Sequence, residues 1–172
     1  MKKKLIVISG ATASGKTDLA IEIAKYFNTE ILSADSRQCY KEMNIGVAKP
    51  SESQLKEITH YFINSHSVYN EVNASVYENY GLQILEKIFQ KNEIAVCVGG
   101  TGLYIKALCE GIDPMPPIDK EIEQNISHLY KVNGLAWLQQ EIQKVDTLFA
   151  ESAEMQNPHR LLRALIFKLS TN

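Results

Sequence analysis

Cysteine, long apolar runs and net charge are all scarce in this 172-residue chain, and each scarcity excludes something. Cys39, Cys97 and Cys109 are odd in number and widely spaced, with no C-x-x-C pair. That argues against a disulfide framework and a zinc site, and suits a reducing compartment. No stretch approaches the roughly 20 apolar residues of a membrane helix. The opening MKKKLIVISG puts lysines before apolar residues, but the run LIVI is too short for a secretory leader. A cytoplasmic protein with no membrane association is expected. Eighteen basic against twenty acidic residues leave a net charge of −2, so there is no overall attraction to nucleic acid, while a local basic patch stays open. The remaining composition, 45% hydrophobic and 22% charged, is that of an ordinary globular chain able to form one core and a small appendage.

What is present begins with KLIVIS (4–9), a continuous apolar run that reads as a strand buried on both faces. Residues 16–27 then place Leu19, Ile23 and Phe27 on one helical stripe, with Ala20 and Ala24 beside it. EILSA (30–34) is a second strand, which makes a βαβ unit and predicts parallel strands. Residues 49–76 are polar and turn-rich and read as a long surface excursion. A helix over 77–91, a buried strand IAVCV (94–98), a break at GGTG (99–102) and a helix ending near Gly111 follow. Three prolines within DPMPPID (113–119) mark a boundary. Beyond it the chain reads as helical, over 118–132, 135–145 and 158–169. There are no internal repeats and no low-complexity tract. The expected fold class is α/β, a phosphate-loop-type parallel sheet with helices on both faces, plus a small helical subdomain.

Gly10, Gly15, Lys16 and Thr17 satisfy G-x-x-x-x-G-K-[ST], between a predicted strand and a predicted helix as that motif requires. Small residues let the amides of Thr12, Ala13 and Ser14 turn inward around a diphosphate, and the helix beginning near Lys16 adds its positive dipole end. Lys16 then reaches a phosphate oxygen, and the Thr17 hydroxyl is the expected Mg²⁺ ligand. A nucleotide-binding, ATP-dependent kinase of a small metabolite or nucleotide is one reading, but such an enzyme usually has a carboxylate ending a buried strand. The strand at 94–98 ends in glycines. The acid stands instead at Asp35, at the carboxyl end of the second strand, where parallel sheets bind ligands. Asp35 reads equally well as a turn residue, and Thr101 as a helix cap.

Taken together, GATASGKT (10–17), ADSRQCYKEMNIGVAKP (34–50) and VGGTGLYIKALCEG (98–111) resemble the tRNA dimethylallyltransferase family, with weaker matches at ITHYFINSHSV and NPHRLLRAL. The resemblance implies that the loop holds dimethylallyl diphosphate rather than a nucleotide. The acceptor it implies is the exocyclic amine of the adenosine beside the anticodon in certain tRNAs. It casts Asp35 as the base that takes the amine's proton, Thr101 as a contact to the reacting centre, and Asp35, Ser36, Arg37 and Gln38 as the stretch gripping the flipped-out adenine. Residues 1–113 would be the core, 114–156 an insertion contacting the anticodon stem-loop, and 157–172 the start of a return to the core. His159, Arg160 and Arg163 match a tRNA-contacting block, although a solvated helix face explains the two arginines without it. His60, His66 and Trp137 read as structural.

The chain departs from the family at several points. Asn44 and Val47 stand where the family has Asp and Thr, Ile166 where a glutamate is usual, and Glu123 where an arginine tends to meet tRNA. Family members also continue well beyond residue 172, into elements that complete the core and supply a further arginine. The expectation is a truncated or naturally short member, monomeric. A degenerate relative that binds tRNA or diphosphate without turnover is the second alternative.

Overall fold

The computed structural model describes residues 2–113 and 118–171, so the prolines at 114, 116 and 117 on which the boundary was read lie outside the described residues. The chain forms two compact units, Met1–Asp113 and Pro114–Asn172.

The first unit runs β1 (Lys4–Ser9), α1 (Lys16–Tyr26), β2 (Ile31–Ser33), α2 (Glu52–Glu57), β3 (His60–Tyr61), α3 (Ala74–Phe89), β4 (Ile94–Gly99) and α4 (Gly102–Glu110). All four strands are parallel, in the order β1-β4-β2-β3. The parallel sheet with helices on both faces is as expected from the sequence, and alternate residues of the central strands serve the two faces. Ile31, Val96 and Val98 pack against Ala20, Ile21 and Ala24 of α1. Leu32, Ala95 and Cys97 pack against Tyr77, Leu85 and Ile88 of α3 and Tyr104 and Leu108 of α4. Tyr77 and Tyr104 stack at 4.4 Å between centroids.

Three local expectations are corrected. β4 lies between β1 and β2, so β1 is an edge strand and not buried on both faces; Val7 is 37% exposed. On α1 the small residues face the sheet while Leu19 and Phe27 are exposed, because alanines let the helix approach β4 closely. The polar stretch 49–76 is more than a surface excursion, since it contributes α2, the edge strand β3 and Phe62, which is fully buried. Phe62 holds a positive φ of 63°, sparsely allowed for a bulky residue. Edge-on packing against Tyr77 and Tyr80, at 4.8 and 5.1 Å, keeps it there.

The second unit contains α5 (Lys120–Val145), α6 (Thr147–Ser152) and α7 (Pro158–Thr171). Gly134, at φ 74°, breaks α5 into two helical segments. Ile126, Leu138, Ile142, Leu161, Leu165 and Ile166 form the core of the unit, with Trp137 packed against it. Residues 157–172 are the segment read as the start of a return to the core; of these, Pro158–Thr171 form α7, which packs on α5.

Candidate active site

The loop between β1 and α1 turns through three left-handed positions, Gly10 (φ 156°), Ala13 (φ 62°) and Gly15 (φ 79°). Gly15 caps α1 without a side-chain hydrogen bond, so the first-turn amides keep their donors for a ligand. Lys16 folds back and donates to the carbonyl of Ala11. The loop lines a cleft of about 370 Å³, together with Thr17, Asp18, Ser33, Asp35, Gln38, Ala48, Lys49, Gln54 and His60. A second cavity of about 200 Å³ lies beside Gly10, Ala11 and Thr12 and is walled by Asp35, Ser36, Arg37, Gly100 and Thr101. Thr12, Asp35 and Gly100 belong to both.

Asp35 follows β2 directly. Its Oδ1 accepts from the backbone N–H groups of Arg37 (2.9 Å) and Gln38 (3.2 Å), a local turn that fixes the carboxylate. Asp35 is thus a turn residue through Oδ1, while Oδ2 is left without a partner among the described residues. Thr101 caps α4 by position but not by side chain. Its Oγ1 accepts from Ser36 N–H at 3.0 Å, and its own N–H donates to Ala34 at 3.1 Å. The hydroxyl proton of Thr101 stays available toward the smaller cavity. β4 ends in glycine because a Cβ at Gly99 would fall 2.7 Å from the Cα of Ala34 and closer still to its carbonyl. Gly99 is what lets the ends of β2 and β4 meet, and Gly100 lies against the Gly10 carbonyl instead.

The loop after β2 is braced by side chains. Gln38 accepts from Ser33 Oγ at 3.0 Å and donates to the Ala48 carbonyl at 2.6 Å, so both ends of its amide are engaged within the protein. Lys49 Nζ donates to Tyr40 O (2.7 Å), Asn44 Oδ1 (3.0 Å) and Asn64 Oδ1 (2.6 Å). All three acceptors are neutral, so the cation keeps its full charge beside the cleft. Neither Lys49 nor His60 was singled out as functional from the sequence. The Lys49 ties span 5 to 15 residues of chain and have no local signature.

His159, Arg160 and Arg163 line a separate groove of about 730 Å³ within the second unit, with Phe149, Phe167 and Lys168. The two arginines are exposed one turn apart on α7.

A family model described as IPP transferase matches residues 38–172. The chain belongs to the IPP transferase family. It is 43% identical over 171 residues to a tRNA dimethylallyltransferase of Christiangramia forsetii, covering 99% of this chain and 57% of that protein. Against the tRNA dimethylallyltransferase of Cytophaga hutchinsonii it is 41% identical over 165 residues, 96% of this chain and 54% of the relative. Among solved structures, a eukaryotic dimethylallyltransferase acting on tRNA matches 95% of this chain and 41% of its own, with a TM-score of 0.79 and 26% identity. The Staphylococcus epidermidis tRNA isopentenylpyrophosphate transferase matches 99% of this chain and 56% of its own, with a TM-score of 0.61 and 32% identity. The chain thus spans little more than half the length of the curated relatives it matches.

Three of the four positions read as departures from the family have a local setting in the structure. Asn44 still accepts from Lys49, so the loop brace survives loss of a carboxylate there. Ile166 is buried in the core of the second unit, where a glutamate would be unpaired. Glu123 lies in the first turn of α5, where its charge complements the helix dipole. The structure offers no explanation for Val47.

Proposed function

We propose that this chain is the donor-binding and proton-accepting part of a tRNA dimethylallyltransferase. It would act on dimethylallyl diphosphate and on the exocyclic amine of the adenosine beside the anticodon. One observation carries this reading: Asp35 stands in the wall shared by the phosphate-loop cleft and the Thr101 cavity, with Oδ2 unengaged. A carboxylate between two binding sites is placed to serve a reaction whose partners enter from different sides.

In the reaction the amine nitrogen attacks the first carbon of the prenyl chain. A C–N bond forms, the C–O bond to diphosphate breaks, and the diphosphate leaves with the electron pair. Asp35 Oδ2 takes the proton released by nitrogen. The uncapped amides of the loop, with Lys16 turning from Ala11 to the ligand, stabilise the departing charge. Among the described residues no group of three or more His, Cys, Asp or Glu forms a metal cage. Mg²⁺ keeps several waters and binds largely through substrate phosphates. Thr17 would hold the ion, which when bound neutralises charge on the diphosphate. The α7 groove, with Arg160 and Arg163, is the proposed contact to tRNA phosphates.

The test is transfer from radiolabelled dimethylallyl diphosphate with Mg²⁺ to unmodified tRNA carrying adenosine beside the anticodon, in the wild type and in Asp35→Ala. General-base removal is expected to cost about 10²- to 10⁴-fold. Undiminished transfer in the variant rules out Asp35 as base. Diphosphate binding without any transfer in the wild type makes the chain a degenerate member, and binding of ATP alone returns it to the kinase reading.

A further inference from the structure

Four charged side chains line the phosphate-loop cleft, and their signs cancel. Lys16 and Lys49 are basic, Asp18 and Asp35 acidic. A cleft that serves a bare polyanion is expected to be lined by the opposite sign. Asp35 has a place in the proposed reaction. Asp18 has none, yet it stands next to Thr17 in the first turn of α1, the helix end that favours an anionic ligand.

Asp18 is held in position there. Its Oδ1 accepts from Gln54 Nε2 of α2 at 2.7 Å. Gln54 is fixed in turn, since its Oε1 accepts from Ser51 N–H at 2.8 Å and its own N–H donates to Ser51 Oγ at 3.3 Å, the capping box that opens α2. A second tie, Lys25 to Glu57, joins the same two helices. The donor to Asp18 is a neutral amide, so the negative charge is positioned without being cancelled. Oδ2 has no partner among the described residues. The helix dipole accounts for an acid in the first turn. It does not account for a brace from another helix that holds the acid at the cleft.

We infer that Asp18 makes the cleft select diphosphate carrying Mg²⁺ over bare diphosphate. Selectivity is built from a repulsive element against the wrong ligand as well as an attractive one toward the right ligand. Here one carboxylate supplies both, repelling uncomplexed phosphate oxygens and attracting a cation, with its waters, that arrives on them. The inference rests on the reading of the loop as a diphosphate site with Thr17 holding the ion. Asp18 acts through its charge, as a specificity residue. It is exposed, so solvent limits each side of the effect to about fivefold.

The experiment is calorimetric titration of the full chain with inorganic diphosphate at one pH and one ionic strength, once with a chelator and once with excess Mg²⁺. Wild type and Asp18→Asn are compared. Asparagine keeps the shape and an oxygen for Gln54 but carries no charge. The quantity read is the Mg²⁺ preference, the Kd without metal divided by the Kd with it. Association of Mg²⁺ with diphosphate in solution is common to both proteins and cancels. The preference is expected to fall about threefold or more in the variant, with metal-free binding tightened about two- to fivefold. A smaller change in preference, whether neither affinity moves or both move together, overturns the proposal and leaves the diphosphate site standing. Failure of wild type to bind diphosphate under either condition overturns the loop reading, and this inference with it. Asp18→Ser removes the same charge with a different side chain. It must show the same fall, and it decides the question if Asp18→Asn does not fold.

Discussion

Replacing Gly99 by alanine tests the claim that the β4 end is glycine for reasons of approach. The added carbon would sit 2.7 Å from Ala34 Cα, where ordinary contact begins at 3.4 Å. The neighbour is backbone and its carbonyl is nearer still, so the two strand ends must separate by about 1 Å. Three hydrogen bonds cross that seam: Ala34 N–H to Val98 O (2.7 Å), Thr101 N–H to Ala34 O (3.1 Å) and Ser36 N–H to Thr101 Oγ1 (3.0 Å). At about 1 kcal/mol each, their loss would add about 3 kcal/mol to an overpacking cost of about 1–3 kcal/mol, for a total of up to about 4–6 kcal/mol. Urea unfolding followed by circular dichroism measures it, as a fall in midpoint at constant slope. Gly102→Ala is the control. Nothing lies within 4 Å of its added carbon, and it opens α4, so it is expected to be neutral or to gain about 0.4–1 kcal/mol. A loss below about 1 kcal/mol for Gly99→Ala, or equal losses for the two, would refute the close-approach argument.

Three further outcomes follow from the packing. Cys109 is exposed, whereas Cys39 and Cys97 are buried with thiols pushed up to about 11 by desolvation. One equivalent of a thiol reagent should therefore react with the native protein and three after unfolding, and more than one fast thiol contradicts the packing. Ile166→Glu places a carboxylate in the core of the second unit and should lower stability by about 2–4 kcal/mol in thermal unfolding at neutral pH. Lys49→Met releases three neutral acceptors around residues 40–64. It should weaken diphosphate binding severalfold through the lost charge and speed amide exchange in residues 41–49, and unchanged exchange would show that the loop needs no brace.

The sequence disclosed most where information is local. The loop motif, the strand before it and the helix after it are contiguous, and so are Asp35 and the turn built on its own amides. The kink at Gly134 falls between the two helices read there. What stayed hidden depends on distant chain. Insertion of β4 between β1 and β2 leaves no mark in either strand's composition, and a two-residue strand such as β3 has no alternation to detect. Leu19 and Phe27 are larger than Ala20 and Ala24 and so dominate a hydrophobic stripe, yet the helix turns its smaller side to the sheet. That Asp35 borders two cavities is a property of the assembled surface, and neither cavity exists in any short segment.

The alanine seam under α1 has a geometric consequence for the cleft. Ala20 and Ala24 set how high the helix axis rides above β4, and the phosphate loop is continuous with the start of that helix. Ala24 is eight residues from Lys16, about 12 Å along the axis at 1.5 Å per residue. A single methyl group added there acts as a wedge under a lever, and the far end of the lever carries the loop's amides. The placement of the loop's amides is therefore stored in two methyl groups buried against the sheet.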